Sequence, residues 1–130
     1  MTGWTSDELA RIAAADELEI ETRRADGTLR KAVPVWVVRH DAELYVRSYK
    51  GGGAAWFRAV QALPEEHVRA DGVAKDVTFA AVVEDEVNEH VDAAYRAKYG
   101  RYGESYITSI LSAQSRAATL KVVPKVTAVS

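Results

Sequence analysis

Residues 43–60, Glu-Leu-Tyr-Val-Arg-Ser-Tyr-Lys-Gly-Gly-Gly-Ala-Ala-Trp-Phe-Arg-Ala-Val, read as a β-strand that runs through a basic, glycine-rich loop into a helix. Leu44, Val46 and Ser48 alternate with Tyr45, Arg47 and Tyr49, the period of a strand. Trp56, Phe57, Val60 and Leu63 then fall on one side of a helix that ends before Pro64. Between the two, Gly51, Gly52 and Gly53 bare backbone amides beside Arg47, Ser48 and Lys50, a combination able to hold a phosphate. The same glycines can also serve only to turn the strand into the helix, leaving Arg47 and Lys50 solvated.

The strand before this stretch, Arg30 to Arg39, is apolar on both faces, with Val33, Val35 and Val37 on one and Trp36 and Val38 on the other. Such a strand must be covered twice, by a barrel interior and by a helix or partner subunit. Pro34 marks a position that donates no ladder hydrogen bond. Upstream, Leu18, Ile20 and Thr22 alternate with Glu19, Glu21 and Arg23 as a half-buried strand, and Asp26-Gly27 signals a turn. Thr5 and Glu8 form a capping box for a helix over 6–15. Downstream, residues 67–70 and 74–83 form a hairpin about Asp71-Gly72, and 84–99 is the clearest helix, with acids at its start and Gly100 at its end. Residues 101–112 permit a short helix, and 118–123 is a final strand closed by Pro124. Six strands and three or four helices in this order predict an α+β fold with a mainly antiparallel, barrel-like sheet.

The 130 residues suit a single domain over 1–130, able to bury roughly two thirds of its unfolded surface. Cysteine is absent, which excludes disulfides, thiolate metal sites and thiol nucleophiles and favours a reducing compartment. No secretory signal is read at Met1 to Leu9 and no run approaches a membrane span, so a cytoplasmic protein without a membrane partner is expected. A net charge of −2, with no basic stripe interleaved by aromatics, argues against nucleic acid. Glu86 and His90 lie four apart but lack a third ligand, so no metal is expected. Ser105 lacks the second glycine of a nucleophile elbow, and no acid–base residue is assigned. Trp36, Tyr45, Tyr49 and Trp56 could wall a planar ring or could be core. Arg30 and Lys31 could reach an anionic group or could be exposed charges at a strand end.

Val-Trp-Val-Val at 35–38, Leu-Tyr-Val-Arg-Ser at 44–48, Lys50-Gly51 and Ala55-Trp56-Phe57 together resemble the split β-barrel of flavin- and deazaflavin-binding proteins. That superfamily includes pyridoxamine phosphate oxidase-like proteins and deazaflavin-dependent nitroreductases. Within it, the chain is most similar to an uncharacterised bacterial family of unknown function. The likeness runs from Trp4-Thr5 and Glu8-Leu9 through Asp26-Gly27-Thr28 to Lys121-Val122-Val123-Pro124. The resemblance implies a six-stranded split barrel in a homodimer, with FMN or a deazaflavin held near the subunit interface. It also implies Arg47, Ser48, Lys50, Gly51 and Gly52 at the cofactor phosphate, Trp36 or Trp56 beside the ring, and an oxidoreductase acting on a small molecule. Arg58-Ala59-Val60 stand where the nitroreductase branch carries Asn-Leu and a small residue followed by Pro. That departure favours the alternative, a non-catalytic binding or interaction module that keeps the barrel without the cofactor.

Overall fold

The computed structural model describes residues 3–49, 51–63 and 65–125. The two-sided run is two strands rather than one: β2 (Val33–Val35) and β3 (Val37–His40), with Trp36 alone between them. β2 pairs with β1 (Leu18–Glu21), Leu18 opposite Val35 and Ile20 opposite Val33, while β3 pairs with β4 (Glu43–Arg47). Three further strands, β5 (Glu65–Ala70), β6 (Val73–Ala81) and β7 (Thr119–Pro124), complete an antiparallel sheet in the order β2-β1-β5-β6-β7-β4-β3. The edge strands are thus consecutive in sequence, and one residue draws them together into a nearly closed barrel. The expected six strands become seven because the chain changes partner at Trp36.

Five α-helices, among the described residues, surround the barrel where three or four were expected: α1 (Ser6–Ala14), α2 (Ala55–Ala62), α3 (Asp85–Tyr99), α4 (Glu104–Ile110) and α5 (Ala113–Arg116). The capping box at α1 forms as its sequence dictates, with the Glu8 N–H on Thr5 Oγ1 (3.1 Å) and the Thr5 N–H on Glu8 Oε1 (3.0 Å). Lys75 pins that helix to β6 through Glu8 (2.7 Å), whose carboxyl is held below its usual range mainly by the Lys75 hydrogen bond. Asp71 (φ 45°) and Gly72 (φ 82°) both adopt left-handed backbone in the two-residue β5–β6 turn, the combination that a type I′ hairpin needs.

Two cores result. Inside the barrel, Leu18, Ile20, Val37, Leu44, Val46, Val68 and Val122 pack with Leu9 and Ile12 of α1 and with Trp56, Phe57 and Val60 of α2. Outside, Val38 and Tyr45 meet Val91, Tyr95 and Tyr99 of α3 and Ile107 and Ile110 of α4. The twofold cover expected for the strand is therefore present, barrel on one side and helix on the other.

The corner at Trp36 interrupts the ladder, and α3 supplies the missing partners. Tyr95 donates its hydroxyl proton to the Trp36 carbonyl (3.0 Å). Tyr99 Oη accepts the Val37 N–H (3.0 Å) and donates to the Asp16 carbonyl (2.8 Å). Burial lifts both phenols far above their usual range, so they stay neutral donors. Tyr99→Phe strands the buried Val37 N–H and is expected to cost about 1–3 kcal/mol in urea denaturation. An unchanged midpoint would show that the corner holds without it.

Candidate functional site

A cavity of about 260 Å³ opens at this corner, lined by Trp36, Pro34, Arg47, Tyr49, Trp56 and Tyr106, together with Glu17, Val35 and Ile110. The Trp36 ring is clamped flat on Tyr99, centroids 4.1 Å apart and planes within 6°, so its orientation is fixed before any ligand arrives. Trp56, near the start of α2, is buried and meets Phe57 edge-on. Tyr106 of α4 lies 6.2 Å from Trp36, centroid to centroid, and is half exposed. The corner between β2 and β3, the end of β4 and the first turn of α2 thus bring Trp36, Arg47, Tyr49 and Trp56 to one place. Tyr45 goes elsewhere, into the outer core, where burial and then the Glu43 charge raise its phenol.

Arg47 is fully enclosed, and all five of its N–H groups face partners within the protein. Nε donates to Thr119 Oγ1 (2.8 Å), and Nη2 donates to the Asn88 carbonyl (3.1 Å) and to Asn88 Oδ1 (3.0 Å). Nη1 donates to the Ile110 carbonyl (3.2 Å) and lies 2.5 Å from Asp92 Oδ1, a charge contact without an aligned hydrogen bond. Asp92 also pairs with Arg116 (3.3 Å). The guanidinium ties β4 to β7, α3 and α4, and its stem borders the cavity.

Ser48 is equally inward: its hydroxyl donates to the Gly51 carbonyl (2.5 Å), and its own carbonyl accepts the Gly51 N–H (3.0 Å). Gly51 has φ +64°, and a Cβ there would collide with the Gln114 side chain, so glycine is required. Gly51–Gly53 form one 3₁₀ turn in which Gly52 and Gly53 are exposed, and Ala54 then caps α2 without a side-chain hydrogen bond. Lys50 lies outside the described residues. His90 stacks on His40 (4.3 Å) across α3 and β3, and no metal-competent group of three ligands occurs among the described residues.

A second cleft, about 420 Å³, shares Trp56 with the first and is lined by Thr22, Arg30, Lys31, Val33, Ala55, Arg58 and Ala59. Arg30 Nη1 is steered by the Arg23 carbonyl (2.8 Å) and Thr22 Oγ1 (3.3 Å). Behind Thr22, on β5, Glu66 is wholly buried. Its Oε1 accepts the Arg23 N–H (2.8 Å), and its Oε2 has no hydrogen-bond partner. Burial raises its carboxyl, and the Arg23 amide and the Arg23 and Arg30 charges offset part of that. Arg58 and Tyr106 line these cavities and are absent from the ligands that the resemblance implies. The signal for Arg58 was its spacing with Ala55 and Ala59, which puts all three on one helical face.

The sequence profile of a family described as uncharacterized protein conserved in bacteria, DUF2255, matches residues 8–122. The chain belongs to the DUF2255 family. No curated protein sequence matches it. Among solved structures, this DUF2255 chain is similar to an F420-H2 dependent reductase, FDR-A, with a TM-score of 0.60 and 23% identity over 83% of this chain and 93% of that one. It is similar to HutZ, the heme storage protein from Vibrio cholerae, with a TM-score of 0.68 and 14% identity over 94% and 91%. A chain described as a domain-swapped dimer gives a TM-score of 0.58 and 23% identity over 91% and 92%. At these identities the likeness is one of fold, the split β-barrel that the sequence resemblance implied.

Two consequences of this DUF2255 site are measurable. Arg47→Met leaves Asp92 without its nearer cation and takes a donor from four buried acceptors, so unfolding free energy should fall by about 3–5 kcal/mol in urea melts; a loss below about 1 kcal/mol would show the tie is dispensable. Glu66 carries a raised folded pKa, so its stabilising protonated form is fully present below the unfolded value and is lost as pH rises through the folded one. Relative to wild type, Glu66→Gln should therefore gain in Tm above the unfolded value of 4.5 and show little gain below it. A Tm difference independent of pH would contradict the assignment.

Proposed function

We propose that this DUF2255 protein is a homodimeric oxidoreductase that holds FMN or a deazaflavin, the ring lying in the cavity between Trp36, Trp56 and Tyr106. The observation that carries this is the clamped Trp36 face at the mouth of an aromatic slot, a preformed stacking surface. Small-molecule sites span roughly 300–1,000 Å³, so a slot of about 260 Å³ suits one ring system. Aromatic and aliphatic side chains dominate the slot, so its lining offers stacking together with a few hydrogen-bonding groups. The fold likeness to an F420-H2 dependent reductase points the same way. When bound, the group would supply hydride chemistry, and the protein would orient the ring and shield it from water.

Trp36, Trp56 and Tyr106 would border the ring, while Lys50, Gly51 and Gly52 stay proposed ligands at the loop. Arg47 and Ser48 are proposed to support that loop from within, because their donors are already engaged. Tyr49 and Tyr106, about half exposed at the cavity mouth, suit coverage by a second copy, and the domain-swapped dimer among the structural relatives supports that assembly. No helix among the described residues is long and apolar enough to cross a membrane. A cytoplasmic setting, resting on the lack of cysteine, belongs to the same proposal.

The inward commitment of Arg47 and Ser48 favours the second function, a cofactor-free interaction module. Visible absorption of the purified protein, followed by titration with FMN and with a deazaflavin, separates the two. Binding in the micromolar range, weakened about tenfold by Trp36→Ala, is expected; no chromophore and no binding of either would leave the module. Solution mass should be that of a dimer, and a monomer at every concentration would remove the interface.

A further inference from the structure

We infer that the cleft beside Trp56 is an anion subsite that receives the acidic tail of the ligand whose ring fills the aromatic slot; this rests on the ring-binding proposal above. The cleft gathers Arg30 and Lys31 from the segment before β2 and Arg58 from α2. Among the described residues no carboxylate forms an ion pair with any of the three; Arg24, Arg39, Arg96, Lys98 and Lys121 have none either, but only Arg30, Lys31 and Arg58 converge on this cleft. The lining of the cleft contains no acid.

Shape agrees with charge. Ala55 and Ala59 leave room at the α2 face, the first turn of α2 has no side-chain cap, and Thr22 adds a hydroxyl. A helix start favours negative charge, which adds to the three cations. Both cavities share Trp56, and adjacent β2 residues line them, Val33 the cleft and Pro34 and Val35 the slot, so the two are neighbours across Trp56. At about 420 Å³ the cleft exceeds the slot, which fits a tail bearing more than one acid group, phosphate or carboxylate, rather than a single small anion. The residue that departs from the nitroreductase pattern, Arg58, is the one that completes it.

The test compares riboflavin, FMN and a deazaflavin carrying phosphate and carboxylates, against wild type, the double variant Lys31→Gln/Arg58→Gln, and Arg39→Gln/Arg96→Gln as a charge-matched control on exposed β3 and α3 surface. The double variant should weaken the acid-bearing ligands about tenfold, flatten their salt dependence, and leave riboflavin within about twofold. The larger loss with FMN or with the deazaflavin tells phosphate from carboxylate. Equal losses for riboflavin, or none for the acidic ligands, would overturn the subsite while the ring slot stands. If none of the three rings binds, the ring proposal fails, and pyrophosphate and citrate test the cleft alone. A thermal shift abolished by the double variant upholds an anion site, and no shift in wild type overturns it.

Discussion

The structure depends on a change of partner at one residue. Val35 belongs to the β1 edge and Val37 to the β4 edge, and only Trp36 separates them. A sheet whose first and last strands are covalent neighbours has little choice but to curl. The corner costs ladder hydrogen bonds, and buried backbone groups without partners are not tolerated. Tyr95 and Tyr99 answer them from outside, which makes α3 part of the closure rather than a cover added to a finished barrel. The same geometry presents the Trp36 indole, stacked on Tyr99, as a wall of the cavity. Closure and site formation are one event.

Charge is partitioned around that cavity. Arg47 points inward and is matched donor by donor, as a buried guanidinium must be, since a cation removed from water is tolerated only when paired and fully hydrogen-bonded. Arg30, Lys31 and Arg58 remain at the surface, with no carboxylate in an ion pair with them among the described residues. The first arrangement fixes where β4, β7, α3 and α4 meet; the second leaves a field for something from outside. Two arginines eleven residues apart in sequence, Arg47 and Arg58, consequently have opposite relations to solvent.

Much of this was legible residue by residue. Thr5 and Glu8 cap α1, Asp71-Gly72 turns β5 into β6, and the alternation of Val33, Val35 and Val37 faces the barrel core as its period predicts. The break at Trp36 was not legible, because the inward alternation runs through it undisturbed: the apolar pattern reports the face a side chain points to, not the strand beside it. Only Pro34 hinted at an interrupted ladder. Arg47 was misleading for a related reason. Arginine beside a glycine loop is ordinarily exposed, and the acceptors that enclose it come from residues 88, 92, 110 and 119, far along the chain.

By itself the sequence determined what short-range physics controls: the strand and helix periods, the caps, the left-handed turn positions, and the barrel class that two-sided strands demand. Tertiary structure alone decided which strand each edge joins and where the cations face. A side chain's solvation depends on partners brought together by chain closure, and neighbours in sequence carry no record of them.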